Sequence, residues 1–443
     1  MKKTQEMARK LPSSEPIECE VLSALLFGHK RSALAFECLK PEHFETAKFQ
    51  MIFTSAKSLF DRGKPVDVVS VSDSMDRADL ESVGGLRGLS EITSGMYSAY
   101  DLENACKILR EKARQRLLIK LLERAQEEVW EQDADVDEVL DRCITDMNEI
   151  ATENSTDDAN DFDSGLEMLA GLRDPQRIRI FCGVTKVDEL VGGFRPGELI
   201  VLTAETGTGK TLLASQIKRR SCADDHHSLF CNGEMLAPHL RAREVSVQAR
   251  VPYGKFRKPE EISEREFEVI TRVVGDGCTK CRIMDGDLTL AKIRWRARKY
   301  RMKSELDLLI VDYDELVEAP GKDEFAEQRE VIRGLKSLAL ELKIPVLLVS
   351  QLRKALQNED RTKPTLSRLY GSGSKVKTAS TILYVDRPFV RELEGDETEA
   401  RIVIVKNRDG KVGSVNCRFN VGRLEFEDLP SDHPESERLD WNG

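Results

Sequence analysis

The 443-residue sequence predicts a mainly parallel α/β domain that is preceded by an all-α domain. From Ile17 to about Ile150, apolar residues recur at steps of three and four, which is the spacing of amphipathic helices. From about Gly183, short continuous apolar runs alternate with helical segments, as expected for a parallel sheet that is covered on both faces. A polar, acidic stretch lies between the two patterns and indicates a linker.

These patterns predict five regions along the chain. The regions are a flexible tail at 1–15, a helical domain at 16–150, a linker at 151–175, an α/β domain at 176–427 and an acidic tail at 428–443. A short amphipathic helix is expected inside the linker at Leu166 to Leu172. Such an isolated helix must bury its apolar face, and a neighbouring subunit is one candidate surface.

Composition and charge argue against a membrane protein and against a protein that coats nucleic acid with its whole surface. With 40% hydrophobic and 33% charged residues, the chain has the composition of a folded, soluble protein. Its apolar runs are far shorter than the roughly 18 residues that span a bilayer, and the basic N-terminus lacks an apolar segment after it. We therefore expect a cytoplasmic protein with no membrane partner. The formal net charge of −10 argues against a whole-surface coat on nucleic acid, but not against a local basic channel.

The ten cysteines show no regular spacing, and most lie inside apolar runs, so we interpret them as reduced thiols of the core. Cys278 and Cys281 have the spacing of two zinc ligands. No second pair of Cys or His follows nearby, which makes a zinc site the less favoured interpretation.

Five apolar runs predict the parallel strands: E-L-I-V-L-T, H-S-L-F-C-N, L-D-L-L-I-V-D-Y, P-V-L-L-V-S-Q and T-I-L-Y-V-D. An edge hairpin is expected after them, because R-I-V-I-V-K and G-S-V-N-C-R-F flank a turn that contains Asp409 and Gly410. The basic run from Ala291 to Lys303 has the spacing of an amphipathic helix with Ile293 and Ala297 inward. We interpret its charges as a solvated face.

The segment A-E-T-G-T-G-K-T comprises Ala204, Glu205, Thr206, Gly207, Thr208, Gly209, Lys210 and Thr211. It follows a predicted strand and precedes a helical run, an order that directs backbone N–H groups and the helix dipole at phosphates. Lys210 would neutralise the β and γ phosphates of ATP, and Thr211 would ligate Mg²⁺. Ala204 replaces the usual first glycine, and a chance G-x-G-K-T loop is the alternative interpretation.

Three more residues follow predicted strands and are expected near the same phosphates. Asp312 ends a buried run, and ligands bind at the carboxyl ends of such strands, so we expect it in the Mg²⁺ shell rather than as a helix cap. Glu234 is predicted to orient and deprotonate the attacking water, with a solvated loop glutamate as the alternative. Gln351 is placed to sense the γ phosphate.

Lys406 and Arg408 lie at the predicted hairpin tip. A guanidinium at that position is poorly placed for its own phosphate loop but well placed for that of a neighbouring copy, which is the logic of an arginine finger acting in trans. An exposed turn residue is the alternative interpretation of Arg408.

The loop R-L-Y-G-S-G-S-K-V-K is the candidate site for nucleic acid, because small residues admit a phosphate backbone and basic residues attract it. The predicted nucleic-acid contacts are Arg368, Gly371, Ser372, Gly373, Ser374, Lys375 and Lys377. A flexible glycine-serine loop without a ligand is the alternative.

The order of these blocks resembles the bacterial replicative helicases of the DnaB family, from about Pro16 to Phe426. The blocks that carry the resemblance include P-I-E-C-E-V-L-S-A-L-L, G-K-P-V-D-V-V-S-V and S-V-G-G-L-R-G-L-S-E-I in the first half. The second half adds G-V-T-K-V-D-E-L-V-G-G-F-R-P-G-E-L-I, the phosphate loop, G-E-M, V-D-Y, L-V-S-Q-L and V-K-N-R-D-G-K-V-G.

The resemblance implies a helical-hairpin collar, a linker helix that docks on the adjacent subunit and a RecA-like motor domain. It further implies a homohexamer that encircles single-stranded DNA and moves 5′ to 3′ with ATP and Mg²⁺. The roles given above to Lys210, Thr211, Glu234, Asp312 and Gln351 are those of the family motifs. Lys406 and Arg408 would act in trans, and Gly371 to Ser374 would face the DNA. A primase and a helicase loader are further partners that the resemblance leaves open.

The sequence departs from the family pattern at a few positions. Asp314 and Glu315 stand where the family usually has an uncharged pair, and Tyr370 stands where an arginine is common. Lys375 and Lys377 replace apolar or neutral residues in the DNA loop. Such divergence fits a phage or mobile-element version of the family.

Two other functions compete with a helicase. A RecA-like strand-exchange ATPase is one, but the resemblance also covers the helical N-terminal half. A catalytically weak scaffold that assembles with a host helicase or loader is the other, but a scaffold has no need of a complete hydrolysis site.

Overall fold

The computed structural model describes residues 11–28, 32–94, 101–152, 168–169, 178–277, 279–352, 372–392 and 394–429. These residues belong to two compact units, within Met1–Asp158 and Ala159–Gly443. No helix in the described ranges is long and apolar enough to cross a bilayer. Arg368, Tyr370, Gly371, Cys278 and most of the predicted linker helix lie outside the described residues.

The first unit is all-α, as its helical spacing predicts. Its helices are α1 (Glu15–Leu26), α2 (Ser32–Cys38), α3 (Ala47–Asp61), α4 (Val68–Ser74), α5 (Arg77–Ser82), α6 (Gly85–Ser94), α7 (Leu102–Trp130) and α8 (Val136–Thr152). The apolar faces of α1 to α7 meet in one core, in which Leu25, Phe53 and Leu109 are fully buried, and α8 packs against α7. The side chains of Thr46 and Asp101 cap the first turns of α3 and α7.

The second unit alternates strands and helices. Its strands are β1 (Leu199–Ala204), β2 (Ser228–Asn232), β3 (Cys281–Asp285), β4 (Leu288–Thr289), β5 (Leu308–Asp312), β6 (Val317–Glu318), β7 (Val346–Gln351), β8 (Thr381–Asp386), β9 (Glu399–Asn407), β10 (Gly413–Asn420) and β11 (Glu425–Asp428). Its helices are α9 (Thr185–Val191), α10 (Lys210–Ala223), α11 (Ala237–Ala249), α12 (Tyr253–Phe256), α13 (Glu264–Gly275), α14 (Leu290–Met302), α15 (Glu324–Leu342), α16 (Ser372–Thr378) and α17 (Pro388–Glu392).

The main sheet has the strand order β11-β10-β9-β8-β1-β7-β5-β2-β3. The strands from β8 to β3 are parallel, and β9, β10 and β11 extend the sheet in antiparallel fashion. The five predicted parallel strands and the predicted hairpin are confirmed. The hairpin does not form the edge, however, because β11 pairs with β10. Asp428, which the sequence analysis assigned to the acidic tail, is the last residue of this strand.

Both faces of the sheet are covered. Along β7, Leu347 and Val349 belong to the core on the α10 side, whereas Leu348 belongs to the core that α14 and α15 cover. The basic run forms α14, in which Ile293 and Ala297 are buried as predicted. This two-sided burial explains the continuous apolar runs of the strands.

The cysteines follow the prediction in part. Cys231 and Cys417 are buried free thiols, and burial raises the pKa of each to about 12. The prediction is wrong for Cys222 and Cys281, which form a disulfide between the end of α10 and the start of β3, with a Cα–Cα distance of 6.5 Å. Spacing along the sequence did not reveal this pair, because its members are 59 positions apart, with β2 and the helices α11 to α13 between them.

Gln216 of α10 joins the helix to the edge strand β11. Its side-chain amide donates to the carbonyl of Phe426 and accepts from the amide of Phe426, both at 2.9 Å and both buried. The glutamine therefore satisfies backbone groups that would otherwise lack a strand neighbour. It also anchors the helix that begins at Lys210.

We expect Gln216→Leu to lower the thermal unfolding midpoint. The leucine keeps the volume but leaves two buried backbone groups of Phe426 without partners, at a cost of about 1–3 kcal/mol for each group. Thermal unfolding monitored by circular dichroism checks the effect. An unchanged midpoint would show that the amide contributes nothing to the attachment of β11.

Candidate functional site

The carboxyl ends of β1, β7, β5 and β2 meet at one edge of the sheet. In the strand register, Ala204 lies beside Gln351 and Asn232 lies beside Asp312. Because the strands are parallel, the loops that follow them leave the sheet at the same edge. They enclose a cleft of about 370 Å³.

The cleft brings most of the predicted nucleotide residues together. Its lining includes Thr206, Gly207, Gly209, Lys210 and Thr211 from the loop, together with Glu234, Asp312 and Gln351. Ala204 is buried as the last residue of β1. Thr208 is also buried, and its hydroxyl donates to the carbonyl of Glu205 at 2.8 Å, which fixes the shape of the loop.

Glycine is required in the phosphate loop. Gly207 and Gly209 have φ angles of +82° and +105°, in the region that side chains disfavour. A Cβ atom at Gly209 would also lie 3.1 Å from the ring of Phe426. Because Gly209 has no side chain to cap α10, the first amides of this helix stay available to an anion.

Lys210 reaches back into the loop. Its ammonium donates to the carbonyls of Ala204 and Glu205 at 2.9 and 3.1 Å. Burial lowers the pKa of this lysine, and the nearby carboxylates oppose that shift, with Asp312 acting more strongly than Glu315 or Glu234. A phosphate in the cleft can therefore replace neutral carbonyls as the partner of a half-buried cation.

Asp312 is the most deeply buried carboxylate of the cleft, with 1% of its surface exposed. Burial raises its pKa to about 6, whereas a hydrogen bond from Thr211 acts in the opposite direction. One of its oxygens, Oδ2, is buried and has no hydrogen-bond partner among the described residues. An orphaned carboxylate oxygen beside a threonine hydroxyl is a donor set that suits Mg²⁺, which takes one or two protein ligands and phosphate oxygens.

Glu234 is exposed at the mouth of the cleft. Its amide donates to the side chain of the buried Asn232 at 3.3 Å, which holds the turn after β2. The Glu234 carboxylate raises the pKa of both Asp312 and Lys210, so it lies within electrostatic reach of both. This exposed position beside the buried charges suits a base that takes a proton from water.

Sequence reasoning missed several residues that line the cleft, among them Arg243 of α11 and Tyr253 of α12. The guanidinium carbon of Arg243 lies 5.7 Å from the centre of the Tyr253 ring. Arg243 also lowers the pKa of Asp312, which places a second cation near the carboxylates. Arg243 lies inside an ordinary helical segment, so no local pattern marked it.

Arg408 lies near the amino-terminal ends of the parallel strands, whereas the cleft lies at their carboxyl ends. Thr381 at the start of β8 pairs with Ile200 near the start of β1, and Asn407 pairs with Thr381. At about 3.3 Å per residue, Arg408 is roughly 15 Å along the strands from the end of β1. Its side chain is exposed there, so it does not enter the cleft of its own chain.

Lys406 is also outside the cleft, and its ammonium is engaged within the chain. It donates to the carbonyls of Val376 and Ala379, both at 2.6 Å, at the end of α16. Burial lowers the pKa of this lysine, and the charge of Arg408 lowers it further.

The described part of the predicted DNA loop is the helix α16. Gly373 and Lys377 are exposed there and Ser374 is half-buried, whereas only the backbone of Ser372 is described. The assignment of Lys375 to the DNA contacts needs correction. Its side chain is 0% exposed and its ammonium lies 2.5 Å from the carboxylate of Asp314, so it cannot reach a phosphate.

Two family models match the chain. The DnaB-like helicase C terminal domain matches residues 180–428, more than half of the chain. The DnaB-like helicase N terminal domain matches residues 10–111. The chain belongs to the DnaB-like helicase family.

Curated relatives in this family match over almost the whole length. The chain is 29% identical to replicative DNA helicase DnaB of Haemophilus influenzae over 441 residues, which cover 94% of each protein. It is 28% identical to replicative DNA helicase DnaC of Bacillus subtilis over 435 residues, which cover 94% of this chain and 95% of the relative. These matches span both units.

Solved structures show the same fold. A DnaB-like replicative helicase, described with its interactions with primase, superposes with a TM-score of 0.70 at 22% identity and covers 94% of this chain and 100% of its own. A second solved structure, of an isolated ATPase domain, superposes with a TM-score of 0.57 at 21% identity, covering 62% of this chain and 100% of that domain. The second unit thus has the RecA-like fold.

Membership in the DnaB-like helicase family makes the chain an ATP-dependent replicative DNA helicase, as the resemblance predicted. The match across both units favours this function over a strand-exchange ATPase. The assembled nucleotide cleft favours it over a catalytically weak scaffold.

Lys210→Ala should lower ATP hydrolysis by at least about 100-fold and abolish DNA unwinding, because it removes the cation that meets the phosphates. Phosphate release and strand separation at a fork measure both activities. Lys299→Ala, at an exposed position of α14, is the matched control and should keep wild-type turnover. Normal hydrolysis by the Lys210 variant would contradict the assignment of the cleft.

Proposed function

We propose that the chain works as a homohexameric ring that encircles single-stranded DNA and moves along it 5′ to 3′ by hydrolysing ATP with Mg²⁺. The observation that supports the ring is the separation of Arg408 from the cleft of its own chain by the length of the sheet. A guanidinium at that end of the strands cannot reach the nucleotide of its own chain, but it can serve that of another copy. Repeated head-to-tail contacts of this kind close into a ring.

The cleft residues fit the bound group in defined roles. Lys210 and the first amides of α10 would hold the β and γ phosphates, and Thr211 and Asp312 would hold Mg²⁺. The bound metal supplies electrostatic stabilisation of the developing phosphate charge. Glu234 would orient the attacking water and take its proton, and Gln351 would sense the γ phosphate.

Arg408 would complete this site from the adjacent copy. Its charge would stabilise the phosphate that is being transferred, and the loss of that phosphate would release the contact between copies. Lys406 is proposed in trans as well, and it would act from its place beside the end of α16. Hydrolysis in one cleft would therefore shift one copy relative to the next.

The DNA is proposed to contact α16 and the segment before it. The exposed Lys377 supplies positive charge, and the small residues Gly373 and Ser374 permit close approach of a phosphate backbone. Arg368, Gly371 and Ser372 are proposed contacts of the same segment.

The other partners and the domain roles follow from the family. The helical unit at 16–150 would form the collar of the ring, and the segment 151–175 would link it to the motor at 176–427. One similar solved helicase is described with its interactions with primase, and we propose primase and a helicase loader as partners here too. Because a replicative helicase acts on DNA, we propose that the protein is cytoplasmic, in a bacterial or phage system.

Arg408→Ala should reduce hydrolysis by about 1000-fold while nucleotide binding is largely kept, because the finger stabilises the transition state rather than the bound nucleotide. Phosphate release and binding of a fluorescent ATP analogue separate the two effects. A variant that hydrolyses ATP normally would remove Arg408 from the site.

Mixing this variant with Lys210→Ala tests the shared site directly. In randomly mixed rings, about a quarter of the interfaces combine an intact Lys210 with an intact Arg408 from the next copy, so hydrolysis should return in part. Each variant alone should stay inactive. A mixture that remains inactive although native mass spectrometry shows mixed rings would contradict a site that is built from two copies.

A further inference from the structure

A buried ion cluster lies beside the nucleotide cleft and joins residues that depart from the family pattern. The ammonium of Lys375 lies 2.5 Å from the carboxylate of Asp314, and these side chains are 0% and 1% exposed. The same ammonium donates to the hydroxyl of Ser350 at 2.8 Å, and Ser350 is fully buried. Glu315 is 4.0 Å from Lys375. The charged departures in two separate segments therefore meet each other.

The cluster connects three elements that carry parts of the proposed mechanism. Lys375 lies in the middle of α16, two residues before the exposed Lys377. Ser350 precedes Gln351 at the end of β7. Asp314 begins the 3-10 turn Asp314–Leu316, two residues after Asp312 at the end of β5. A displacement of α16 therefore acts on two strand ends that line the cleft.

Glu315 extends the cluster toward the phosphate loop. Its charge opposes the lowering of the Lys210 pKa, with only Asp312 acting more strongly among the carboxylates. Burial and the charge of Asp314 raise the pKa of Glu315 to about 7, although the charge of Lys375 acts in the opposite direction. Glu315 thus interacts with the lysine of the phosphate loop and with the lysine of α16.

Stability alone is a poor reason for such a cluster. A buried ion pair must repay the desolvation of both charges, and apolar residues of similar size often stabilise a protein as well or better. What a buried pair can supply is one fixed arrangement, because a charge that loses its partner in the interior is strongly destabilising. Here that arrangement fixes α16 against the carboxyl ends of β5 and β7.

We propose that Lys375 is a positioning residue that, through Asp314 and Glu315, couples the DNA-contacting helix α16 to ATP hydrolysis in the cleft. Contact of DNA with α16 moves Lys375, and the ion cluster passes this movement to the strand ends that hold Asp312 and Gln351. Lys375 itself does not touch DNA. This inference rests on the proposed DNA contact of α16.

The test compares ATP hydrolysis with and without single-stranded DNA in the full-length chain. Lys375→Met removes the charge and keeps the length of the side chain. The double variant Asp314→Asn with Lys375→Met leaves no unpaired charge between these two partners, and it serves if the single variant does not fold. Both should lose DNA stimulation of kcat by at least about fivefold, the lower end of ordinary coupling between sites, while the KM for ATP stays nearly unchanged.

The matched control is the buried ion pair of Lys218 and Glu244, whose side chains are each 1% exposed at a separation of 2.5 Å. Lys218→Met with Glu244→Gln removes a pair of the same kind between α10 and α11. It should keep the ratio of stimulated to basal hydrolysis. Equal loss of the ratio in this control would show that any lost buried pair has the effect, and it would overturn the inference.

Binding of an oligo-dT strand separates coupling from direct contact. Lys377→Met should lower the slope of log affinity against log salt by about 0.7, because an exposed lysine that pairs with a phosphate releases a counterion. Lys375→Met should leave the slope unchanged. An equal change at Lys375 would make it a DNA ligand and overturn the positioning role.

The outcome for the wild-type chain distinguishes two failures. Wild-type hydrolysis that ignores single-stranded DNA would overturn the proposed DNA contact and this inference with it. A stimulated wild type together with fully stimulated Lys375 variants would overturn the inference alone. Restored stimulation in Lys375→Arg, which keeps the positive charge, would support it.

Discussion

Parallel pairing of the central strands places polar residues at one edge of a hydrophobic sheet. Ala204, Asn232, Asp312 and Gln351 end four strands whose preceding residues are buried on both faces. The sheet cannot shift its register without moving these strand ends into the core, because its faces are packed against helices. The packed core therefore fixes the relative positions of the strand ends that line the cleft.

Burial also disfavours the charged forms of the ionisable groups in the cleft when no ligand is bound. Burial raises the pKa of Asp312 and lowers the pKa of Lys210, so both charged forms are disfavoured by the protein itself. A magnesium nucleotide offers a cation to the first and an anion to the second. Binding would therefore stabilise the charged forms of Asp312 and Lys210, which burial in the folded chain disfavours. In the proposed ring, loss of the γ phosphate would reverse part of this gain and so drive movement between copies.

Local patterns predicted the parts of this site that depend on neighbours in sequence. Gly207 and Gly209 mark the phosphate loop because both have a positive φ, and at Gly209 the ring of Phe426 also excludes a side chain. Asp312 was predictable because an apolar strand ends at it. The strands β3 and β11 were missed, since C-R-I-M-D is only half-buried and E-F-E-D reads as an acidic tail.

Other features depend on residues far apart in the sequence, and for these the local pattern predicted a different role or none. Lys375 in a glycine-serine segment indicated a solvated phosphate contact, yet Asp314 neutralises it in the interior. Arg243 looked like an ordinary helical arginine until α11 placed it beside the cleft. The Cys222–Cys281 disulfide likewise required the sheet to bring its halves together. The sequence pattern predicted helices and strands, but it did not show which residues distant in the chain become neighbours in the fold.

The central claim is that each nucleotide lies between two copies of this chain. Native mass spectrometry of the purified chain with a non-hydrolysable ATP analogue and single-stranded DNA tests it most directly. The account predicts a complex of six chains on one strand, with nucleotide bound at the interfaces. A chain that stays monomeric under these conditions, and hydrolyses ATP on DNA at its full rate at the same concentration, would contradict the account.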